Sequence, residues 1–177
     1  MAMIRQNIQS MISEEEIRQK VKDMGRLIET DYSGSELVVV GLLNGVYPFF
    51  ADLTRAIDLD FQVCFMSVSS YGPELESSGV VKIVKDIDAP IKDKNVLIVE
   101  DIIDTGQTLA AVLKHIKAQS PASVRICALL DKPGRRIIDV PVDYAGFSIE
   151  DQFVVGYGLD AKGMYRNLPY IGIYNPV

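Results

Sequence analysis

The sequence has few of the residues that bind transition metals or form disulfides. Its 177 residues include two cysteines, one histidine and no tryptophan. A structural zinc site needs about four Cys or His ligands, and a disulfide framework needs several cysteines, so both are excluded. Cys64 and Cys127 each lie in an apolar, strand-like run, and we expect both to be buried, reduced thiols. Any bound metal should therefore have oxygen ligands.

Positive charge is also scarce. The chain has 18 Lys and Arg residues against 24 Asp and Glu residues, which gives a net charge of −6. A general nucleic-acid binder uses an excess of Lys and Arg to release counterions from phosphates, and a membrane surface patch needs a basic block. Neither feature is present in the sequence, so we expect no nucleic-acid partner and no membrane partner.

No apolar run reaches the roughly 20 residues that cross a bilayer. The most apolar stretch, residues 37–53, is interrupted by Asn44, Gly45, Pro48 and Asp52. The first residues also lack the apolar segment that is typical of a signal peptide. These patterns predict a cytoplasmic protein.

Alternating strand-like and helix-like segments predict an α/β fold. Ser13 has capping-box spacing to Glu16, and apolar residues follow at helical intervals, which predicts a helix over 13–30. Four apolar runs rich in β-branched residues predict buried strands at 36–40, 61–68, 95–99 and 123–130. Helical periodicity is present at 46–57 and 105–118. We therefore predict a central, mainly parallel twisted sheet flanked by helices.

No linker divides the chain, so we predict a single domain over residues 1–177. Its core should span about 31–135. After residue 131, short strand-like runs alternate with Gly and Pro, which indicates a small hood subdomain formed by about 136–177 with the N-terminal segment. The polar excursion at about 69–82 is typical of a functional lid or a disordered loop.

Three carboxylates follow the strand predicted at 95–99. Glu100 and Asp101 stand at its end, Asp104 follows, and a helix start at 105–108 comes next. In an open parallel sheet, ligands collect beyond the carboxyl ends of the strands. Adjacent carboxylates can accept hydrogen bonds from the two hydroxyls of a ribose, and a helix N-terminus can bind a phosphate. The crowded acids also need donors or a cation such as Mg²⁺. The pattern favours a sugar-phosphate site.

The same residues have a simpler explanation. Asp or Thr at a helix start is most often an N-cap. The sequence contains neither a Walker A loop nor the Gly-x-Gly-x-x-Gly of a dinucleotide-binding fold. Spacing alone leaves both interpretations open.

The run from Val96 to Thr108 resembles the phosphoribosyl diphosphate (PRPP) signature of the type I phosphoribosyltransferases, in the form of the hypoxanthine-guanine branch. Further segments resemble that family in the same order, from about residue 10 to residue 175. They are Leu43-Asn44-Gly45 with the helix at 47–53, the pair Ser70-Tyr71, the segment 130–132 and the segment 153–166.

The resemblance implies a Mg²⁺-dependent transfer from PRPP to a purine base, with release of pyrophosphate. Asp104 would act near purine N7 as general base. The implied ribose and 5′-phosphate residues are Glu100, Asp101, Asp104, Thr105, Gly106, Gln107 and Thr108. The implied purine residues are Lys132, Phe153, Val154 and Asp160. The implied pyrophosphate residues are Leu43, Asn44, Gly45 and Arg166. Ser70 and Tyr71 would form the lid, and the implied metal residues are Glu100, Asp101 and Asp160.

Two positions depart from the family pattern. Asn44 and Gln107 stand where many members have Lys, which puts the affinity for pyrophosphate and phosphate in question. Taken one at a time, other residues also have plain explanations. Lys132 is typical of a surface turn and Phe153 of a core, while Asp160 and Arg166 could form a surface salt bridge.

Several functions remain open at the level of the sequence. Hypoxanthine is the first candidate substrate and guanine the second, and a sister activity would prefer xanthine or guanine. A phosphoribosyltransferase-fold regulator that binds nucleotides or RNA is a further alternative, as is nucleotide binding without transfer. From the family we expect a homodimer or homotetramer.

Overall fold

Two β-sheets of different size build the fold in the computed structural model, which describes residues 7–70 and 81–175. The strands and helices, in chain order, are β1 (Ile8–Ile12), α1 (Glu14–Tyr32), β2 (Leu37–Leu43), α2 (Tyr47–Arg55), β3 (Gln62–Ser70), β4 (Val81–Lys85), β5 (Asn95–Ile103), α3 (Gln107–Lys117), β6 (Ser123–Asp131), β7 (Tyr144–Ser148), β8 (Val154–Val155) and β9 (Ile171–Tyr174). The larger sheet has the order β4-β3-β2-β5-β6-β7, and the smaller sheet has the order β1-β9-β8.

The larger sheet is parallel except for its edge strand β4, which runs antiparallel to β3. Its central strand β5 lies between β2 and β6, and Ile98 is in register with Val40 on one side and Ile126 on the other. All three side chains are fully buried. Continuous apolar strands of this kind need cover on both faces, so the predicted α/β class is confirmed.

Helices cover both faces of the larger sheet. Apolar residues of α1 and α2 pack in one buried cluster with Leu97 and Val99 of β5. Residues of α3 pack in a second cluster with Val96 and Ile98. Ser13 caps α1 with the predicted capping box. None of the helices in the described ranges is long and apolar enough to cross a membrane.

The strand that leads to the site is longer than predicted. β5 continues to Ile103 because β6 pairs with it that far, where Ile103 is in register with Asp131. Glu100 and Asp101 therefore lie within the strand instead of following it. The hydrophobic pattern did not indicate this, because the last pairs of the ladder include charged residues.

The boundary of the hood also differs from the prediction. Residues 144–148 fall in the segment predicted as hood, yet they form β7 and pair in parallel with β6, with Tyr144 in register with Cys127. The small antiparallel sheet of β1, β9 and β8 is the part of the predicted hood that lies apart from the larger sheet. Cys64 and Cys127 are both buried, as predicted, and burial raises the pKa of each thiol.

Candidate active site

A cavity of about 340 Å³ lies between the carboxyl ends of β5 and β6 and the segment that follows β7. Its volume falls in the range of small-molecule sites. It is lined by Gly45, Asp101, Ile102, Asp104, Lys132, Phe153, Val154, Leu159, Asp160 and Arg166. Segments far apart in the sequence therefore bring acids, two cations and an aromatic ring to one place.

A second cavity of about 120 Å³ adjoins the start of α3. It is lined by Leu42, Glu100, Ile102, Ile103, Asp104, Thr105, Gly106, Thr108 and Leu109. Ile102 and Asp104 line both cavities, so the two spaces meet at Asp104.

Glu100 and Asp101 lie in β5 directly after four fully buried residues, 96–99. The side chain of Asp101 accepts a hydrogen bond from the N–H of Ile102 at 2.9 Å, and the residue is only 8% exposed. Burial raises the pKa of Asp101 to about 6, while the nearby Arg166 opposes this change. Within the described part of the chain, Oε2 of Glu100 is buried without a hydrogen-bond partner. Burial and the neighbouring Asp101 raise the pKa of Glu100 well above its usual value.

The turn before α3 is built around Gly106. Gly106 is the N-cap of α3 and has a left-handed backbone with φ +80°. A Cβ there would collide with the carbonyl of Ile138. The carbonyl of Thr105 accepts hydrogen bonds from the N–H groups of Ile137 and Ile138 at 2.9 and 3.0 Å. The segment 137–138 thus fixes the turn, and the first-turn N–H groups of α3 are free of helical carbonyls.

Asp104 is held by two arginines from the segment after β6. Its Oδ1 lies 3.0 Å from Nε of Arg135, and its backbone carbonyl accepts a hydrogen bond from Arg136 at 2.9 Å. Arg136 also forms an ion pair with Asp131, the last residue of β6. The arginines therefore bond the backbone of Asp104 and place positive charge beside its carboxylate, while its Oδ1 has no hydrogen-bond partner within the described part of the chain.

Lys132 is not a surface lysine, although its sequence context is typical of one. It is 7% exposed, and its Nζ donates a hydrogen bond to the carbonyl of Gln152 at 2.7 Å. Nζ also lies 3.7 Å from Asp151, which in turn pairs with Arg135 at 3.1 Å. An ammonium has three donors, so one of them can still serve a ligand in the cavity.

Phe153 lies at the mouth of the larger cavity. It is 56% exposed, so it does not belong to the core that its apolar context alone would indicate. Its ring centroid lies 5.9 Å from that of Tyr174 in β9, which supports it from one side. The next residue, Val154, is buried in β8 and pairs with Ile173.

Two glycines bring three pieces of backbone together beside Asp101. A Cβ at Gly45 would collide with the carboxylate of Asp101, and a Cβ at Gly158 would collide with the carbonyl of Gly45. The peptide bond between Leu43 and Asn44, just before Gly45, is cis. No side chain fits between these layers.

Arg166 is held at two points in the same corner. Its guanidinium donates to the carbonyl of Gly158 at 2.6 Å and pairs with Asp160 at 2.8 Å. The salt bridge that the sequence allows between Arg166 and Asp160 is therefore present. Both residues line the larger cavity, and both side chains are about 30% exposed.

The structure unites most of the predicted site residues, with five exceptions. Leu43, Asn44 and Gln107 line neither of the two cavities. Ser70 ends β3, but its side chain and the whole of Tyr71 lie outside the described residues. The described ranges also contain no group of three His, Cys, Asp or Glu side chains arranged to hold a metal. Glu100, Asp101 and Asp160 therefore do not form a three-carboxylate metal site in the protein itself.

Comparison with known proteins identifies the family. The model of the phosphoribosyl transferase domain matches residues 9–162. The chain belongs to the phosphoribosyltransferase family. A hypoxanthine phosphoribosyltransferase of Salmonella typhimurium is 50% identical over 171 residues, which is 96% of each chain. A hypoxanthine-guanine phosphoribosyltransferase of Bacillus subtilis is 45% identical over 175 residues, which is 98% of this chain and 97% of the relative.

A solved phosphoribosyltransferase has the same fold. The crystal structure of a hypoxanthine phosphoribosyltransferase from Staphylococcus aureus superposes with a TM-score of 0.95 and 43% sequence identity. The match covers 99% of this chain and 96% of that one. The similarity therefore extends over both β-sheets.

Sequence reasoning missed the residues that hold the phosphoribosyltransferase site in place. They are Arg135, Arg136, Asp151 and Gln152. The two arginines follow Lys132 closely and gave one signal, a local excess of positive charge. Their partners are on other segments, and nothing in the spacing indicates which acid meets which arginine.

The raised pKa of Asp101 predicts an unusual dependence of stability on pH. Between its ordinary value of 3.8 and about 6, the folded state binds more protons than the unfolded state, so the free energy of unfolding falls as pH rises. Asp101→Asn cannot ionise. In metal-free buffer it should match the unmodified chain at pH 4 and exceed it by up to about 3 kcal/mol at pH 7. Urea unfolding at a series of pH values measures the difference.

The control for this experiment is Asp139→Asn, which removes an exposed carboxylate. It should stay within about 0.5 kcal/mol of the unmodified chain at every pH. If the difference in the free energy of unfolding between Asp101→Asn and the unmodified chain does not grow with pH, the burial of Asp101 does not cause the predicted pH dependence of stability.

Proposed function

We propose that the chain transfers the 5-phosphoribosyl group of PRPP to hypoxanthine, and to guanine as second substrate, in purine salvage. The bond from C1′ to the pyrophosphate oxygen breaks, a bond from C1′ to the purine nitrogen forms, and the base loses a proton. The products are IMP or GMP and pyrophosphate. One observation carries the proposal: two cavities, one beside a helix N-terminus and one with a cation and an aromatic ring, meet at a single carboxylate, Asp104.

The smaller cavity suits the ribose 5-phosphate. The turn from Thr105 to Thr108 and the first N–H groups of α3 offer donors to a phosphate. Glu100 and Asp101 would accept hydrogen bonds from the ribose hydroxyls, which supplies donors to carboxylates that are otherwise buried. Gln107 has no positive charge, so this phosphate would be held by backbone and hydroxyl donors.

Asp104 would act on the base. It lines both cavities, so a purine in the larger cavity and a ribose in the smaller one would meet beside it. Its carboxylate would take the proton from the purine ring, or steady that proton at N7, as the bond to C1′ forms. Nε of Arg135 lies 3.0 Å from Oδ1 of this carboxylate, and that oxygen has no hydrogen-bond partner within the described ranges.

Lys132 would read the purine. One of its N–H donors is used by the carbonyl of Gln152, and Asp151 is an ion-pair partner at 3.7 Å, so Lys132 keeps a donor for the O6 of hypoxanthine or guanine. Adenine has an amino group at that position, which is itself a donor. Phe153 would stack on the purine ring, and the backbone of Val154 would meet its edge.

The pyrophosphate would lie beside Gly45 and Arg166. Both line the larger cavity, and a guanidinium can bind phosphate oxygens with two parallel hydrogen bonds. Asn44 adds no charge, so Leu43, Asn44 and Gly45 would contribute backbone donors only. The lid assigned to Ser70 and Tyr71 stays a prediction, as does assembly into a homodimer or homotetramer.

The donor set suits Mg²⁺, which binds proteins through one or two carboxylates and completes its shell with substrate oxygens and water. Oε2 of Glu100 lacks a hydrogen-bond partner within the described ranges, and Asp101 is buried beside it. Glu100 and Asp101 would hold the ion together with the substrates, and Asp160, which lines the same cavity as Asp101, would contact it directly or through water. When bound, Mg²⁺ neutralises charge on the leaving pyrophosphate.

A panel of bases tests the proposal. Adenine, hypoxanthine, guanine and xanthine are each incubated with PRPP and Mg²⁺, and kcat/KM is measured for nucleotide formation. We expect hypoxanthine to be highest, guanine next and adenine lowest, with no turnover in EDTA. Preference for xanthine would favour the sister activity. Binding of IMP without turnover would favour a nucleotide-binding protein that does not transfer, and the net charge of −6 already argues against an RNA-binding regulator.

Asp104→Asn should lower kcat by about 10² to 10⁴, because the amide cannot accept the proton. Affinity for PRPP should stay within about threefold, since the amide has the size of the carboxylate and the phosphate donors of residues 105–108 are unchanged. Steady-state kinetics and PRPP titration separate the two effects. Asp139→Asn loses one exposed carboxylate and should behave as the unmodified chain; an unchanged kcat in Asp104→Asn would remove this residue from the chemistry.

Lys132→Gln should lower the ratio of kcat/KM for hypoxanthine over adenine by about 10- to 100-fold. This is the range expected for a lost hydrogen bond from a charged donor. Lys117→Gln, on the exposed face of α3, makes the same chemical change away from both cavities. A ratio that is equal in the two variants would mean that another group reads O6.

A further inference from the structure

Tyr157 joins the hood to α2 by a hydrogen bond between residues far apart in the sequence. Its hydroxyl donates to Oδ2 of Asp52 at 2.6 Å, and Tyr157 is 8% exposed. Burial and the neighbouring carboxylate raise the pKa of Tyr157 far above its usual value, so it stays a donor. Neither side chain lines the 340 Å³ cavity; both line a separate cavity of about 440 Å³.

The residue after Tyr157 touches the pyrophosphate side of the site. Gly158 has φ +99°, and a Cβ there would collide with the carbonyl of Gly45 and with Pro48 in the first turn of α2. Gly45 in turn lies against the carboxylate of Asp101. A shift of the Tyr157 backbone would therefore move Gly158 relative to Gly45 and Asp101.

The position of Arg166 depends on the same segment. Its backbone carbonyl accepts a hydrogen bond from the N–H of Gly158 at 3.0 Å, and its guanidinium donates to the carbonyl of Gly158 at 2.6 Å. The hydroxyl of Tyr47, also on α2, donates to the carbonyl of Arg166 at 3.4 Å. Tyr47 and Asp52 of α2 thus hold, by hydrogen bonds, the segment 157–166 that carries the guanidinium.

We infer that Tyr157 and Asp52 are positioning residues that set the spacing between Gly45 and Arg166. The inference rests on the proposed function, which assigns Gly45 and Arg166 to pyrophosphate. Tyr157 acts through Gly158, and Asp52 acts through α2, whose first turn follows Gly45. The hydrogen bond therefore governs the affinity for PRPP and pyrophosphate and leaves the contacts to the base unchanged.

Tyr157→Phe tests the inference, and the chain offers a matched control. Tyr144 is also buried and donates to Oδ2 of Asp31 at 2.6 Å, but neither residue lines the candidate cavities. Tyr144→Phe therefore loses the same kind of hydrogen bond away from both cavities, together with the one that its hydroxyl accepts from Arg125 at 2.7 Å. Tyr157→Phe should raise the KM for PRPP, and for pyrophosphate in the reverse reaction, about tenfold, whereas Tyr144→Phe should not. The KM for hypoxanthine and kcat should be similar in both variants.

Changes at Asp52 test the other partner. Asp52→Ala should reproduce the higher KM for PRPP, while Asp52→Asn, whose amide oxygen still accepts the tyrosine hydroxyl, should keep most of the affinity. Arg55→Ala breaks the exposed ion pair of Asp52 and should leave the KM for PRPP unchanged. These variants also decide the question if Tyr157→Phe fails to fold.

The possible failures can be told apart. If the unmodified chain forms no nucleotide from any base, the proposed function is wrong. If it is active and Tyr157→Phe has the PRPP KM of Tyr144→Phe, the positioning inference is wrong. A fall in melting temperature with equal changes in the KM values for PRPP and hypoxanthine also overturns it, because that pattern indicates a structural role alone.

Discussion

Glu100 and Asp101 lie within β5, directly after four residues whose side chains are fully buried (96–99), so their carboxylates stand next to a core that excludes water. Burial of ionised groups is unfavourable unless donors or cations compensate it. This requirement explains the surroundings: Arg166 lies near Asp101, and the free N–H groups of α3 follow directly in the chain. What remains uncompensated, above all Oε2 of Glu100, is available for hydroxyls or a cation.

The segment after β7 supplies the aromatic ring and the guanidinium that β5 lacks. Arg166 and Phe153 both come from the segment after β7, and this segment approaches the sheet through glycines where any side chain would collide. Gly45 lies against Asp101, and Gly158 lies against Gly45. None of these three segments can therefore move far without displacing the others. The geometry of this side of the larger cavity is therefore set by backbone packing around Gly45 and Gly158, and the hydrogen bond of Tyr157 to Asp52 lies beside it.

The pattern of apolar residues predicted the α/β class, the three helices and the four central strands because each depends on local periodicity. It placed the end of β5 too early, since the pairing of Ile103 with Asp131 is a long-range contact that periodicity does not report. β7 was assigned to the hood for the same reason. Among the site residues, the acidic run was readable from spacing, and Lys132 and Phe153 only from family resemblance. Arg135 and Asp151 could not be found, because an ion pair depends on the distance between segments.

A net charge of −6 is compatible with a phosphorylated substrate because the site has cations of its own. Each of these cations already has an acidic partner in the protein. Arg166 pairs with Asp160, Arg135 pairs with Asp104 and Asp151, and Lys132 lies beside Asp151. An anionic ligand must therefore share or replace these partners, and its affinity is the difference between two sets of contacts. Neither Asn44 nor Gln107 adds a spare cation. If the proposed assignment holds, phosphate binding would depend on backbone N–H groups and on the placement of Arg166, so geometry would decide affinity more than total charge.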